Sequence, residues 1–280
     1  MGDIQSAIQF VRNHGNKVEQ ARLNVLLQAD NLVQEAVQEL KATQREDGSW
    51  SPFWAPDASS LDATCYRLAQ SEQLGIKQAD FIEQAISFII GRQNQDGSFE
   101  EAAELASVAP PWAMPGDDSA KIYLTANAGH WIRHYNSSAS CLTQIEAFLV
   151  SQLNDEGYLP AFLHANWLTA GLLHSLGDYK HAESIMNYLL AKLPQLEASN
   201  LAWLINALCV MGVSPEHRLT SSARDKLEQS QKEDGRWASE DGEWQDVHTT
   251  LESIRAIQFS VLSAETYQLI QPAKHVGRES

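Results

Sequence analysis

The residues best suited to chemistry are two neighbouring carboxylates, Asp117 and Asp118, which follow Pro115-Gly116 and precede Ser119-Ala120. Adjacent carboxyl groups repel as anions, so one of them keeps its proton to higher pH and can serve as a general acid. At the first turn of a helix the same pair would instead cap free N–H groups and oppose the helix dipole, worth a few tenths to ~1 kcal/mol without any catalysis. The sequence supports both readings. His164, Asn166 and His174 share one helical stretch, but the two histidines stand ten residues apart, nearly three turns, too far for one metal ion. Asp62 aligns by repeat with Asp118 and Asp246, a symmetry that reads as capping in all three. The chain has no HExxH, P-loop, GxGxxG or GxSxG motif.

These residues are spaced by a repeat. Gln44-Arg-Glu-Asp-Gly-Ser-Trp50, Gln93-Asn-Gln-Asp-Gly-Ser-Phe99, Gln152-Leu-Asn-Asp-Glu-Gly-Tyr158 and Gln231-Lys-Glu-Asp-Gly-Arg-Trp237 share one pattern, with Gly157 one place late in the third. The leading glutamines lie 49, 59 and 79 residues apart, and the last gap predicts a worn copy near Lys192–Glu197. Such periods indicate stacked helix pairs. Asp-Gly turns the chain at the end of one helix, the aromatic wedges between pairs, and the Gln amide bonds free backbone groups. The inner helices start near Ser60, Asp117, His164, Ser199 and Asp246, and several are apolar nearly all round, as buried helices are. More amphipathic outer helices, such as that at residues 81–90, precede the turns.

Counting a degenerate first pair at residues 1–30, pairs start near residues 4, 31, 78, 140, 180 and 217. The expected fold is therefore all-α: a single-domain (α/α)6 toroid over residues 1–270, with the repeats from about 31 to 260, one short outer helix after Gln258, and a flexible tail at 271–280. The longest irregular insert runs from Glu100 to Gly116.

Composition narrows the function. Hydrophobic residues make up 44% of the chain, enough for a large core, and the net charge of −16 excludes phosphate-backbone binding. Cys65, Cys141 and Cys209 read as reduced, buried thiols. There is no secretory signal and no apolar run of transmembrane length, so a cytoplasmic protein is expected.

The Gln…Asp-Gly-Ser-Trp repeats resemble the QW motifs of squalene-hopene cyclase, oxidosqualene cyclase, the β domain of class II diterpene cyclases and protein prenyltransferase β subunits. Pro115-Gly-Asp-Asp-Ser-Ala120 resembles the Asp-x-Asp-Asp-Thr-Ala segment of the class II cyclases, with Pro115 in place of the first Asp. The resemblance implies protonation-initiated cyclisation of an isoprenoid, with Asp117 as proton donor and Asp118 tuning it. Such an acid needs an apolar cavity that keeps it neutral. Trp54, Tyr66, Trp112, Tyr123, Trp167 and Trp203 are candidates for aromatic walls that stabilise a cation, with His248 at the cavity mouth. Asp246-Val-His248 also resembles the zinc-histidine segment of prenyltransferase β subunits, but Ala198-Ser-Asn200 stands where those enzymes carry Asp-x-Cys, so zinc is not expected. No cofactor is required. Mg²⁺ would enter only with a diphosphate substrate, and Asp117-Asp-Ser-Ala-Lys121 lacks the last Asp of a DDxxD motif. A homodimer, a helical partner domain or the 100–116 insert could close the site, and substrate access could involve a membrane surface. Two other functions fit the toroid: a non-catalytic module for a hydrophobic ligand or protein, and a prenyltransferase β-subunit-like protein.

Overall fold

Two connections set the direction of the chain. Gly15-Asn16 joins α1 (Ile4–His14) to α2 (Lys17–Leu26), and Gly177-Asp178 joins α8 (Leu163–Leu176) to α9 (Tyr179–Lys192). Links this short force neighbouring helices antiparallel. In the computed structural model, which describes residues 3–28 and 33–261, the alternation continues through α3 (Val33–Ala42), α4 (Leu61–Gln73), α5 (Asp80–Ile90), α6 (Asp118–Tyr135), α7 (Leu142–Ser151), α10 (Ala198–Val210), α11 (Arg218–Gln229) and α12 (Asp246–Val261). No strand is present among the described residues.

The even-numbered helices form an inner ring. α2 packs on α4, α4 on α6, α6 on α8, α8 on α10, α10 on α12, and α12 on α2. The odd-numbered helices form the outer layer, and α1 packs on both α2 and α12. The expected (α/α)6 toroid is thus the observed fold, and α1–α2 is its first pair. A 3-10 turn, Leu193–Gln195, marks the predicted worn copy. The helix expected after Gln258 and the tail at 271–280 fall largely outside the described residues.

The turns hold adjacent pairs together. Gln44 Nε2 donates to the Gly48 carbonyl of its own turn (2.9 Å) and to the Phe81 carbonyl on the next outer helix (2.8 Å). Gln93 repeats this with Gly97 and Cys141, and Gln231 with Gly235 and Asp3. The third of these is the closure of the ring, because it ties the last pair to the first outer helix. The indoles of Trp50 and Trp237, both fully buried, donate to the Leu40 and Leu227 carbonyls. Thr64, Thr125 and Thr250 on the inner helices accept the backbone N–H of Trp50, Phe99 and Trp237. In the loose copy Asn166 substitutes, accepting from Leu159 N (2.9 Å) and donating to Leu159 O (3.1 Å). Gly97 has φ of +89°, and a Cβ there would lie 2.4 Å from the Gln144 carbonyl oxygen. That approach is what makes glycine obligatory.

Trp237→Ala is expected to lower the unfolding free energy by about 3–5 kcal/mol in urea titrations, as large buried aromatics do. An unchanged midpoint would contradict the role of this turn in closing the ring.

Candidate functional site

Alternation places the N-termini of all six inner helices at one rim, and side chains from their first turns converge there. Asp62 stands in the first turn of α4, but Ser60, not Asp62, caps that helix through Ala63 N (3.1 Å). The Asp62 carboxyl instead accepts the Tyr123 hydroxyl of α6 at Oδ1 (3.0 Å) and the Trp112 indole N–H at Oδ2 (3.1 Å). It is half-buried, with protein packed around the carboxyl. Burial raises its pKa above the usual carboxylate range, and the two donors oppose that rise only in part.

The wall continues across the helices. The Tyr123 ring meets Phe162 and His164 edge-on at 6.4 and 6.3 Å between centroids. His164 lies 4.7 Å from both Trp167 and Trp203. On the other side Tyr66 of α4 faces His248 of α12 at 6.1 Å. Tyr66 and Trp112 are exposed, while Trp203, His164 and His248 are half-buried. Desolvation lowers the pKa of His164 to about 4 and that of His248 to about 4, so both imidazoles are neutral at pH 7.

The floor of this cup is charged. Glu252 of α12 is in ion-pair contact with Arg22 of α2, accepts Gln73 Nε2 of α4 (2.8 Å), and accepts Asn206 Nδ2 of α10 (2.6 Å). His248 Nδ1 lies 3.4 Å from Arg22. Burial alone would raise the Glu252 acid, but Arg22, His248 and Arg255 outweigh it and hold its pKa at about 2. Where an apolar hole through the ring was expected, buried polar side chains of α2, α4, α10 and α12 meet instead. Arg22 of α2 and Glu252 of α12 neutralise one another, and the Gln73 and Asn206 amides satisfy the remaining carboxylate lone pairs.

The expected site residues divide accordingly. Tyr66, Trp112, Tyr123, Trp203 and His248 come together in the cup. Trp167 is fully buried behind His164, a wall support with no face toward the opening. Trp54 is half-buried in the turn between α3 and α4, outside these contacts. Asp117 caps α6, accepting Ala120 N at 2.8 Å, and both it and Asp118 are exposed, so neither has the burial an acid donor needs. Asp246 accepts Ser239 N (2.8 Å) and pairs with Arg236. Asp62 and His164, which the sequence offers only as a helix cap and as a histidine too far from His174 to share a metal, join the cup through Tyr123. Repeat symmetry hid the first, because Asp118 and Asp246, with which it aligns, are an exposed first-turn carboxylate and a partner of Arg236.

Residues 5–154 match the family model of the A-macroglobulin TED domain, just over half of the chain. The chain belongs to the A-macroglobulin TED domain family. As a TED-domain family member it has solved structural neighbours that share its fold. A protein from Actinoplanes, 15% identical, superposes with a TM-score of 0.64 over 92% of this chain and 100% of that one. The type II terpene cyclase MstE from Scytonema, 14% identical, gives 0.60 over 93% and 89%. A variant of MstE in complex with geranylgeranyl dihydroxybenzoate, its substrate, gives 0.61 at 14% identity over 92% and 88%. No curated protein matches the sequence. Among the described residues no helix is long and apolar enough to cross a membrane, and no three His, Cys, Asp or Glu side chains group as metal ligands.

The floor gives an acid-lability prediction. Glu252 has a depressed folded pKa, so its stabilisation is complete above its unfolded pKa of ~4.3 and is lost as pH falls through about 2. His164 and His248, also depressed, lose theirs as pH falls from ~6.5 through about 4. Arg22→Ala is expected to cost about 3–5 kcal/mol at pH 7, because it leaves a buried carboxylate unpaired. Thermal denaturation from pH 7 to 3 checks this; a Glu252→Gln, Arg22→Met pair recovering none of the loss would contradict the charge-pairing account.

Proposed function

We propose that the cup binds an apolar, unsaturated ligand of isoprenoid type and that Asp62 initiates its cyclisation by protonation. The observation that carries this reading is a carboxyl group whose pKa burial has raised, held between Trp112 and Tyr123 and facing a cup of aromatic rings. The likeness of the fold to MstE, a type II terpene cyclase, supports the reaction class.

In the first step the Asp62 O–H bond breaks and a C–H bond forms at one end of a carbon–carbon double bond. The carboxylate left behind receives the Trp112 N–H and the Tyr123 O–H, donors already in position before charge develops. The cation lies against the faces of Tyr66, Tyr123 and Trp203, each worth about 0.5–2 kcal/mol to a desolvated positive charge. Ring closure moves the cation along the chain. A neutral imidazole, His164 or His248, then takes the proton lost from carbon and releases it to water, and Asp62 takes a proton back from water, so that the acid and the imidazole both return to their starting states. The product is an isomer of the substrate, and no cofactor enters the balance. Asp117 serves as the cap of α6.

With geranylgeranyl-bearing arenes and squalene-type polyenes as substrates, Asp62→Asn is expected to lower turnover by about 10²–10⁴-fold, the usual contribution of a general acid. Asp117→Asn should leave turnover within roughly twofold, since it removes only an exposed capping charge. Turnover should also decline as pH rises through the raised Asp62 pKa. Full activity in Asp62→Asn, or its loss in Asp117→Asn alone, would overturn the assignment.

A further inference from the structure

Charge is spread unevenly between the two ends of the ring. The connections that lead from an outer to an inner helix open on the rim that holds the cup, at residues 15–16, 43–60, 91–117, 152–162, 193–197 and 230–245. Together they carry sixteen Asp and Glu against four Lys and Arg, a net charge of −12 out of −16 for the whole chain. At the opposite rim, the described connections 74–79, 136–141, 177–178 and 211–217 carry only Asp178, Glu216 and Lys77. No step of the proposed reaction uses this difference.

The positive groups near the cup are already engaged. On the rim, Arg236 pairs with Asp234 and Asp246, and Lys232 shares a surface pocket with Asp3, Asp225, Glu228 and Glu233. Deeper in the ring, Arg22 is in contact with Glu252, and Arg255 holds Glu72 at 2.6 Å. The six inner-helix dipoles each bring about half a positive charge to the rim, roughly +3 in all, a quarter of the opposing charge. Two of those helix ends already hold carboxylates, Glu101 at α4 and Asp117 at α6. One acid reaches the wall itself. Glu240, from the connection into α12, accepts the Ser199 hydroxyl and the Asn200 amide in the first turn of α10, which carries Trp203.

We infer that the mouth of the cup selects isoprenoids by the charge of their head group, admitting those with a neutral or positive end and turning away prenyl diphosphates. An acidic rim around a low-dielectric concavity concentrates its field at the opening, so a multiply charged anion is opposed both on approach and when bound. The hydrocarbon chain carries no charge and meets only the aromatic wall, whatever head group follows it. The mouth thus decides which end groups can accompany a chain that the cup would otherwise take alike.

The inference rests on the proposed binding of an isoprenoid in the cup, and its test separates the two. Farnesol, farnesylamine and farnesyl diphosphate share one hydrocarbon chain, and their equilibrium binding to the full-length protein is read by quenching of tryptophan fluorescence. At an ionic strength of about 0.01 M, where screening extends over about 30 Å, the diphosphate is expected to bind at least about tenfold more weakly than the alcohol, and the amine at least as tightly. At about 1 M, where screening is complete within about 3 Å, the gap should close. Glu104 and Glu243 are exposed on two of the rim connections, and the double variant Glu104→Lys, Glu243→Lys should narrow the low-salt gap several-fold with farnesol binding unchanged. If the diphosphate binds within twofold of the alcohol at low salt, with or without Mg²⁺ to bridge it to the carboxylates, or if the gap ignores salt, the selection by charge is overturned and the cup stands. If none of the three ligands binds, the reading of the cup falls and takes the inference with it.

Discussion

Ring closure is the constraint on which the rest depends. Six helix pairs in sequence bring residues as distant as Arg22 and Glu252 into contact, and only a closed ring does so. Closure has two components. At the outer layer, Gln231 and Trp237 attach the last pair to the first. At the axis, the Glu252 carboxylate gathers groups from α2, α4 and α10. The outer component is hydrophobic wedging with directed hydrogen bonds. The inner one is a charge pair that stabilises mainly by its being complete, since a buried pair is worth little net and its broken half costs much.

The chemistry of the cup follows from that closure. A helix alternation that puts every inner N-terminus at one rim also gathers positive dipole ends there. At two of them the chain answers with a carboxylate or hydroxyl of its own: Glu101 and Ser60 at α4, and Asp117 at α6. Asp62 is set apart by having its amide, not its side chain, at the helix end. Its carboxyl is thereby released to face Tyr123 and Trp112, where burial raises its pKa. The same first turn serves as a cap in one repeat and presents an acid in another.

How much of this the sequence disclosed depends on whether the signal was local. The toroid was legible because Gln, Asp-Gly and the aromatic act within seven residues and, in the copies led by Gln44, Gln93 and Gln231, contact the adjacent pair in the same way. The start of each outer helix could be counted from them. The cup aromatics Tyr66, Tyr123, Trp203 and His248 were legible because they occupy the first two turns of inner helices. The acid was not. Asp117 carries the more suggestive sequence, but Pro115-Gly116 leaves it on the exposed side of the α6 cap. Asp62 depends on contacts 50 and 61 residues away, one made by Trp112 of an insert that follows no repeat and the other by Tyr123 of α6. The ionic floor was hidden for the same reason, as its partners are separated by up to 230 residues.

A crystal structure of the protein soaked with a geranylgeranyl-bearing arene measures the central claim directly. The account predicts density for the isoprenoid chain in the cup, with a double bond within reach of the Asp62 carboxyl and against the Tyr123 and Trp203 rings, stopping above Glu252. Density at the outer surface of the ring, with the cup holding only water at saturating ligand, would contradict it.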